Sequence, residues 1–322
     1  MNHVHLKTKS KDPLVIVPSS IDAQAIFERA KFFKKRSLKS DSKMRALYLA
    51  ISMIDLTTLE GSDTTHKVLS LCARAKSPVS KLKHLELVGT NTKSLPLIPK
   101  VAAVCVYPEQ ILTAKKFLKS SGVEIASVST AFPSGQIKQE LKEQEVLSCL
   151  SLGASEIDMV INRGAFLAGD YQKVFDEIQA IAQICRDRAH LKVILETGEI
   201  GSFEKINLAS QIAMHAGADF IKTSTGKISN AASLPATLVM FESIWDFYKL
   251  TGKKIGMKPA GGIRTSKDAI SYLCMLYETL GNSWLTPDLF RFGASSLLND
   301  LLKQIYKQHT GHYFDQDSFS QD

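Results

Sequence analysis

The most constraining feature of this sequence is a regular alternation of short apolar runs with longer amphipathic segments, continuing from Val101 almost to the C-terminus. Short apolar runs are typical of buried parallel strands, and the segments between them have helical spacing. With one earlier run, the pattern predicts eight strands, at 54–58, 101–106, 124–129, 156–162, 191–196, 220–222, 255–259 and 289–292. This alternation predicts an α/β fold, a (β/α)8 TIM barrel. A doubly wound sheet is the alternative, weakened because no G-x-G-x-x-G sequence follows the first strand.

Two of the predicted strands carry a lysine at or next to their last residue and lead into a glycine loop. Lys222 is followed by Thr223-Ser224-Thr225-Gly226, and Lys258 by Pro259-Ala260-Gly261-Gly262. Lysine is rarely fully buried, so two at such positions need a reason. A neutral lysine amine adds to a carbonyl to form a Schiff base, and a nearby cation keeps the amine neutral by lowering its pKa. Either lysine alone could simply extend to solvent, but the pair with its glycine loops favours covalent chemistry.

A carboxylate, Asp158, lies in a third predicted strand. Strand alternation places it on one face with Val160 and Asn162. A barrel brings the ends of separate strands together at its C-terminal mouth, so Asp158 and the two lysines should converge there. An acid buried in an apolar strand needs a partner, and a lysine can provide one. The alternative to catalysis is a purely structural buried ion pair.

Three loops after the late strands resemble anion-binding turns, because each contains glycine and precedes a helix. Backbone N–H groups at such turns and at helix N-termini bind phosphate, and barrels commonly bind it after strands seven and eight. The residues expected to bind a substrate phosphate are Gly226, Lys227, Gly261, Gly262, Arg264, Gly293, Ser295 and Ser296.

The positive charge of the chain is concentrated at its N-terminus. The formal net charge is +8, and the first 45 residues carry 11 Lys and Arg against 4 Asp and Glu, so seven of the eight net charges lie there. We therefore expect a basic N-terminal extension (1–45), a barrel domain (46–310) and a flexible C-terminal tail (311–322). A basic segment can bind nucleic acid, but a helix with Phe32 and Phe33 packed on the barrel is favoured.

The remaining composition excludes several classes of protein. Five cysteines without C-x-x-C spacing predict reduced core residues and a cytoplasmic protein. Histidine and cysteine do not cluster with zinc-site spacing. The N-terminus lacks the apolar core of a signal peptide, and no apolar run approaches the ~20 residues of a membrane span. We therefore expect no metal and no membrane partner.

A set of motifs occurs in order between about Ala46 and about Tyr313. They lie at 54–57, 103–108, 156–162, 196–199, 220–227, 256–264 and 291–298. Together they resemble the motifs of deoxyribose-phosphate aldolases, and the longer eukaryotic-type branch of that family fits best. The resemblance implies a class I aldolase of deoxyribonucleotide catabolism. Such an enzyme reversibly cleaves 2-deoxy-D-ribose 5-phosphate to acetaldehyde and D-glyceraldehyde 3-phosphate, without metal or cofactor.

The resemblance also implies roles for single residues. Lys222 is the Schiff-base lysine, and Lys258 and Asp158 transfer protons, in part through water. Asp55 lies at a family position that supports the lysines.

For two further residues, the sequence leaves two roles open. Cys105 aligns with a non-essential active-site thiol, or is a core residue. Tyr313 is the candidate for a tail tyrosine that assists proton transfer, or packs on the last helix.

Three other functions remain open from the residues alone. The chain could be another Schiff-base sugar-phosphate aldolase or transaldolase, a phosphosugar-binding protein without catalysis, or a nucleic-acid-binding protein that uses its basic N-terminus. The expected partner is a small sugar phosphate, with neither nucleic acid nor a membrane. The oligomeric state is open, a homo-oligomer included.

Overall fold

The computed structural model describes residues 3–8, 13–79 and 97–311. Two short antiparallel strands come first in the described chain, and eight parallel strands follow, which confirms the predicted fold class. The strands are β1 (Val4–Leu6), β2 (Leu14–Ile16), β3 (Ile54–Thr57), β4 (Ala103–Val106), β5 (Glu124–Ser129), β6 (Glu156–Val160), β7 (His190–Ile194), β8 (Phe220–Lys222), β9 (Gly256–Lys258) and β10 (Phe292–Ala294).

The eight parallel strands pair in the order β10-β3-β4-β5-β6-β7-β8-β9. Parallel bridges from Met257 to Phe290 and from Ala260 to Gly293 join the two ends, so the sheet closes into a barrel. The predicted last strand, Leu289–Phe292, is wrong in its bounds: Leu289 and Arg291 bond to Met257 of β9, and the strand that pairs with β3 is Phe292–Ala294.

Helices surround the barrel and begin and end at ordinary capping residues. Asp170, Ser202 and Ser233 each accept a backbone N–H with their side chain at a helix N-terminus, and Thr265 and Asp268 form a capping box. The helices are α1 (Ala23–Lys35), α2 (Ser40–Ser52), α3 (Thr65–Lys76), α4 (Ile111–Leu118), α5 (Gln139–Leu152), α6 (Arg163–Leu167), α7 (Tyr171–Cys185), α8 (Thr197–Ile200), α9 (Phe203–His215), α10 (Leu234–Thr251), α11 (Ser266–Leu280) and α12 (Leu297–Thr310).

Alternation along each strand separates an outer apolar layer from the barrel interior. In β6, Ile157 and Met159 belong to the core under the helices, while Glu156 and Asp158 contact charged groups inside the barrel. One side of the interior is therefore charged. The opposite side is apolar and consists of Leu59, Cys105, Ala126 and Val128, with Tyr107 and Phe132 packed against them.

The register of the last strands brings the two strand-end lysines side by side. Lys222 of β8 is the direct partner of Lys258 in β9, so both side chains lie on the same face of the sheet. Two residues earlier, on the same face of the sheet, Phe220 is paired with Gly256. A Cβ at position 256 would lie 2.4 Å from the Phe220 ring, so a glycine is required beneath the lysines.

The N-terminal segment packs on the barrel. Leu6, Ile16, Ile26 and Phe33 are buried, whereas Phe32 is 52% exposed, so one of the two predicted aromatic contacts forms. Helix α2 runs through the boundary expected at residue 45.

Two arginines of this segment form ion pairs with helices of the barrel, Arg29 with Glu242 of α10 and Arg36 with Glu278 of α11. Part of the basic charge therefore docks α1. In the described residues, no helix combines the length and the hydrophobicity that a membrane crossing needs.

Candidate active site

Seven charged side chains meet on the charged side of the barrel interior. All are at most 4% exposed, although burying a charge is costly unless it is paired. Four are basic and three are acidic: Lys192, Lys222, Lys258, Arg291, Asp55, Glu156 and Asp158.

Asp158 is the centre of the upper part of this cluster. Its Oδ2 accepts hydrogen bonds from Lys222 Nζ and Lys258 Nζ, each at 2.7 Å. Lys192 Nζ lies 3.3 Å from the other oxygen, Oδ1. Because both strand-end lysines share one carboxylate oxygen, a change in the protonation of one lysine affects the other.

Asp55 and Glu156 hold the lower part of the cluster together. Asp55 Oδ2 lies 2.6 Å from Lys258 Nζ, and its Oδ1 accepts a hydrogen bond from Arg291 Nη1 at 2.6 Å. Glu156 accepts from Arg291 Nη2 at 2.8 Å and also from Lys192. The two carboxylates therefore fix the positions of Lys258 and Lys192 from below.

The two strand-end lysines have pKa values shifted in opposite directions. Burial and the nearby charge of Lys258 lower the pKa of Lys222, despite the opposing attraction of Asp158. Burial also acts to lower the pKa of Lys258, but Asp158 and Asp55 outweigh it and raise that pKa well above its ordinary value. The pKa of Asp158 lies well below its usual range because three lysines outweigh burial.

Counting charges shows that the cluster balances when one of its four bases is neutral, and the directions of the pKa shifts point to Lys222 as that base. With all groups ionised, the four bases exceed the three acids by one positive charge. If Lys222 is neutral, three cations face three anions. A neutral Lys222 thus balances the buried cluster, and a neutral amine is the nucleophilic form of lysine.

Cys105 lies between the charged and the apolar sides of the interior. Its Sγ donates to Asp158 Oδ2 over 3.8 Å. Burial raises the pKa of the Cys105 thiol, so the group stays protonated and is not poised as a nucleophile. Its contacts with Leu59, Ala126 and Val128 also make it part of the apolar side.

A cavity of about 760 Å³ opens at the C-terminal ends of the strands, the side on which barrels carry their active sites. Lys222 is the lysine of the buried cluster that lines this cavity, whereas Lys192 and Lys258 lie outside its lining. A larger cleft, of about 1110 Å³, lies at the opposite end of the barrel beside Arg188, His215 and Asp219. We place the candidate active site at the mouth because Lys222 and the glycine loops are there.

All eight residues expected to bind phosphate line the mouth cavity: Gly226, Lys227, Gly261, Gly262, Arg264, Gly293, Ser295 and Ser296. The amide N–H groups of Gly226, Gly262, Ser295 and Ser296 donate to no partner within the described part of the chain. Gly226, Gly261 and Gly262 have φ between +77° and +83°, a conformation that favours glycine. Free amides at the N-terminus of α12 form the type of site that binds anions.

One expected phosphate ligand already has a partner. Lys227 Nζ lies 2.8 Å from the Glu60 carboxylate, across the mouth. Glu60 is 62% exposed, and exposed ion pairs contribute little free energy. A substrate phosphate can therefore displace Glu60 from Lys227.

The structure thus brings together Lys222, Lys258, Asp158, Asp55 and Cys105. Tyr313 lies outside the described residues, and its role stays a prediction.

Sequence analysis missed Lys192, Glu156 and Arg291. Each is a charged residue in or beside a short apolar strand, and Glu156 lies two positions before Asp158 on the same face. That period-two spacing was the signal in the sequence from which Glu156 could have been predicted to face the barrel interior with Asp158. Within residues 3–8, 13–79 and 97–311, no group of His, Cys, Asp and Glu is arranged to bind a metal ion.

Comparison with known proteins identifies the family of the chain. Residues 49–303 match the DeoC/LacD family of aldolases. The chain is 43% identical over 312 residues to the deoxyribose-phosphate aldolase of Mus musculus, covering 96% of each protein. It is 43% identical over 296 residues to that of Homo sapiens, covering 91% of each.

A solved structure of deoxyribose phosphate aldolase from Aeropyrum pernix, described as a unique tetramer, shares the fold. Its TM-score is 0.58 at 24% identity, with 83% of this chain and 98% of that chain covered. The match to the family extends over most of the chain and includes every strand of the barrel. This chain therefore belongs to the DeoC/LacD family of aldolases.

Proposed function

We propose that this aldolase cleaves 2-deoxy-D-ribose 5-phosphate to acetaldehyde and D-glyceraldehyde 3-phosphate, reversibly, through a Schiff base on Lys222. The observation that carries the proposal is the position of Lys222. It is the cluster lysine that lines the mouth cavity, and burial together with Lys258 lowers its pKa. The names of the mammalian relatives supply the substrate.

The reaction begins when the neutral amine of Lys222 adds to the C1 carbonyl of the sugar. Loss of water gives an iminium ion, for which the charged Lys258 is placed to donate a proton, through the Asp158 oxygen that both lysines contact. The iminium then withdraws electrons from C2 and takes the place of a metal as electron sink.

Cleavage follows when a base removes the proton of the 3-hydroxyl and the C2–C3 bond breaks. We assign the proton transfer to the Lys258–Asp158 pair, acting in part through water. D-Glyceraldehyde 3-phosphate leaves, and an enamine remains on Lys222. Protonation of its carbon and hydrolysis release acetaldehyde and restore the amine.

The two sides of the interior suit the two ends of this substrate. The apolar side, which includes Leu59, Val128 and Phe132, suits the small two-carbon unit. The amides of Gly226, Gly262 and Ser296, which donate to no partner among the described residues, suit the phosphate at the other end. Asp55 supports Lys258, and Cys105 has an apolar role beside Asp158.

The direct test is acetaldehyde release from 2-deoxyribose 5-phosphate by the purified chain, with and without EDTA. We expect equal activity in both, because the proposed steps use no metal. Release from a different sugar phosphate only would instead favour another aldolase or a transaldolase. Absence of any release would favour a phosphosugar-binding protein.

The phosphate site makes a separate prediction. Replacing Ser295 with glutamate adds a negative charge beside the amides at the start of α12. We expect KM for 2-deoxyribose 5-phosphate to rise by about tenfold or more, since one charge repulsion of ~1.4 kcal/mol is tenfold. Steady-state kinetics with unphosphorylated deoxyribose provide the control. Equal effects on both sugars would place the phosphate elsewhere.

Three further properties stay predictions for this chain: a cytoplasmic location, a role in deoxyribonucleotide catabolism, and assembly into a homo-oligomer like the tetramer described for the Aeropyrum pernix protein.

A further inference from the structure

The turn after β7 carries a buried carboxylate that the proposed reaction does not use. Glu196 is fully buried and has φ = +59°, a left-handed conformation that is uncommon for glutamate. Such strained positions persist where the surroundings over-determine them, and they are frequent at functional sites. The contacts of Glu196 therefore show what the strained conformation achieves.

The carboxylate of Glu196 holds the loop after β8. It accepts hydrogen bonds from Thr225 N, at 3.2 and 3.3 Å to its two oxygens, and from Thr225 Oγ1 at 2.5 Å. Thr225 Oγ1 in turn accepts from Lys227 N at 3.1 Å. Glu196 thus fixes both residues that flank Gly226, the centre of the expected phosphate loop.

The same turn contacts this loop at two further points. Thr197 N donates to Thr223 O at 2.9 Å, just after Lys222. Gly198 packs so closely on Asn230 that an added Cβ would lie 2.1 Å from its carbonyl oxygen. The loop is therefore held at its start, at its centre and near its end by three consecutive residues.

The buried carboxylate of Glu196 pairs with Arg163, the first residue of α6. Arg163 Nη1 lies 3.3 Å from Glu196 and 2.9 Å from Glu199, and Arg163 Nη2 donates to Pro133 O at 3.1 Å. Arg163, which Glu196 shares with Glu199, and the Thr225 donors stabilise the carboxylate, although burial outweighs them and raises the pKa of Glu196. Because Thr225 N donates to Glu196 and Lys227 N donates to Thr225 Oγ1, Gly226 is the residue of Thr225–Lys227 whose amide donates to no partner within the described part of the chain.

We propose that Glu196 is a positioning residue that sets the conformation of Thr225–Lys227 for recognition of the substrate phosphate. This proposal rests on the proposed function, because it deepens the phosphate site of the same reaction. Glu196 acts through Thr225 and touches neither Lys222 nor Asp158 in the hydrogen bonds described above. Its loss should therefore affect the phosphorylated end of the substrate and leave the Schiff-base chemistry in place.

The test is Glu196→Gln, which preserves size but replaces one acceptor oxygen with an NH2 group that opposes the donors of Thr225 and Arg163. We expect KM for 2-deoxyribose 5-phosphate to rise about tenfold, the effect of one lost charge-assisted hydrogen bond. We expect kcat, and kcat/KM for unphosphorylated deoxyribose, to stay within about twofold of wild type.

The matched control is Glu199→Gln. Glu199 lies in the same turn and pairs with the same arginine, but it is 42% exposed and does not hold Thr225. Its kinetics should match wild type with both sugars. An equal loss with both sugars in Glu196→Gln, or an unchanged KM, would overturn the proposal.

A second variant keeps the proposal testable if Glu196→Gln fails to fold. Thr225→Val preserves the shape of the side chain and removes the hydroxyl between Glu196 and Lys227. It should show the same selective rise in KM, and the double variant should be no worse than the more affected single one. An unselective effect of Thr225→Val would refute the positioning role. Inactive wild type would instead refute the proposed function.

Discussion

Replacement of Lys222 by alanine is expected to abolish aldol cleavage, with a loss on the order of 10⁴–10⁶-fold, as when the covalent nucleophile of an enzyme is removed. Lys192 and Lys258 cannot substitute for it. Both are fully buried outside the lining of the mouth cavity, and the pKa of each is raised by neighbouring carboxylates, so they stay charged.

The covalent step can be measured directly. Incubation with acetaldehyde and borohydride should reduce the Schiff base and leave a stable two-carbon adduct on Lys222, located by mass spectrometry of peptides. In the Lys222→Ala variant, the remaining lysines of the cluster, Lys192 and Lys258, should carry no adduct. An adduct on Lys192 or Lys258 in the wild-type protein would show that the nucleophile is assigned wrongly.

Lys258→Leu is expected to lower kcat/KM by about 10²–10⁴-fold, the usual contribution of acid–base catalysis. Lys258 lowers the pKa of Lys222 by its charge, and it offsets the attraction of Asp158 for a proton on Lys222. Its removal therefore raises the pKa of Lys222. Since lysine reacts in its neutral form, above its pKa, the residual activity should need a higher pH than wild-type activity does.

The measurement is a pH–rate profile of kcat/KM for both proteins, with the fold checked by circular dichroism. Removal of one partner from a buried ion pair costs about 3–5 kcal/mol, so stability needs its own control. Lys142→Leu provides it, because Lys142 is fully buried and lies 2.7 Å from Glu177 between α5 and α7, away from the site. Lys142→Leu should lose stability while retaining turnover. Near-wild-type turnover by Lys258→Leu at neutral pH would contradict its role.

Much of the barrel could be predicted from local patterns, because strand and helix periodicity depend on neighbouring residues. The bounds Glu124–Ser129 and Phe220–Lys222 were predicted as they are observed. Strands β1 and β2 were missed, because they lie in the basic N-terminal segment, outside the alternation from which the barrel strands were predicted. The last strand was misplaced because its bounds depend on pairing with both β3 and β9, which no local pattern specifies.

In the candidate site, too, some residues could be predicted from the sequence and others could not. Alternation along single strands was enough to predict that Lys222, Lys258 and Asp158 converge, since each lies at or near a strand end. Only barrel closure places Arg291, which precedes β10, against Asp55 of β3 and Glu156 of β6. These contacts join residues far apart in sequence, so no local pattern can specify them.

The direction of the pKa shifts also depends on the tertiary structure. The sequence was sufficient to predict two lysines beside an acid, which leaves open which lysine is neutral. Burial acts on both, but Lys258 contacts two carboxylates whereas Lys222 contacts one. The difference of one ion pair arises from the register of β3 and β9 around the closed barrel. The left-handed turn at Glu196 has the same origin, because a positive φ in a glutamate is stabilised by contacts with Thr225 and Arg163 that only the folded chain supplies.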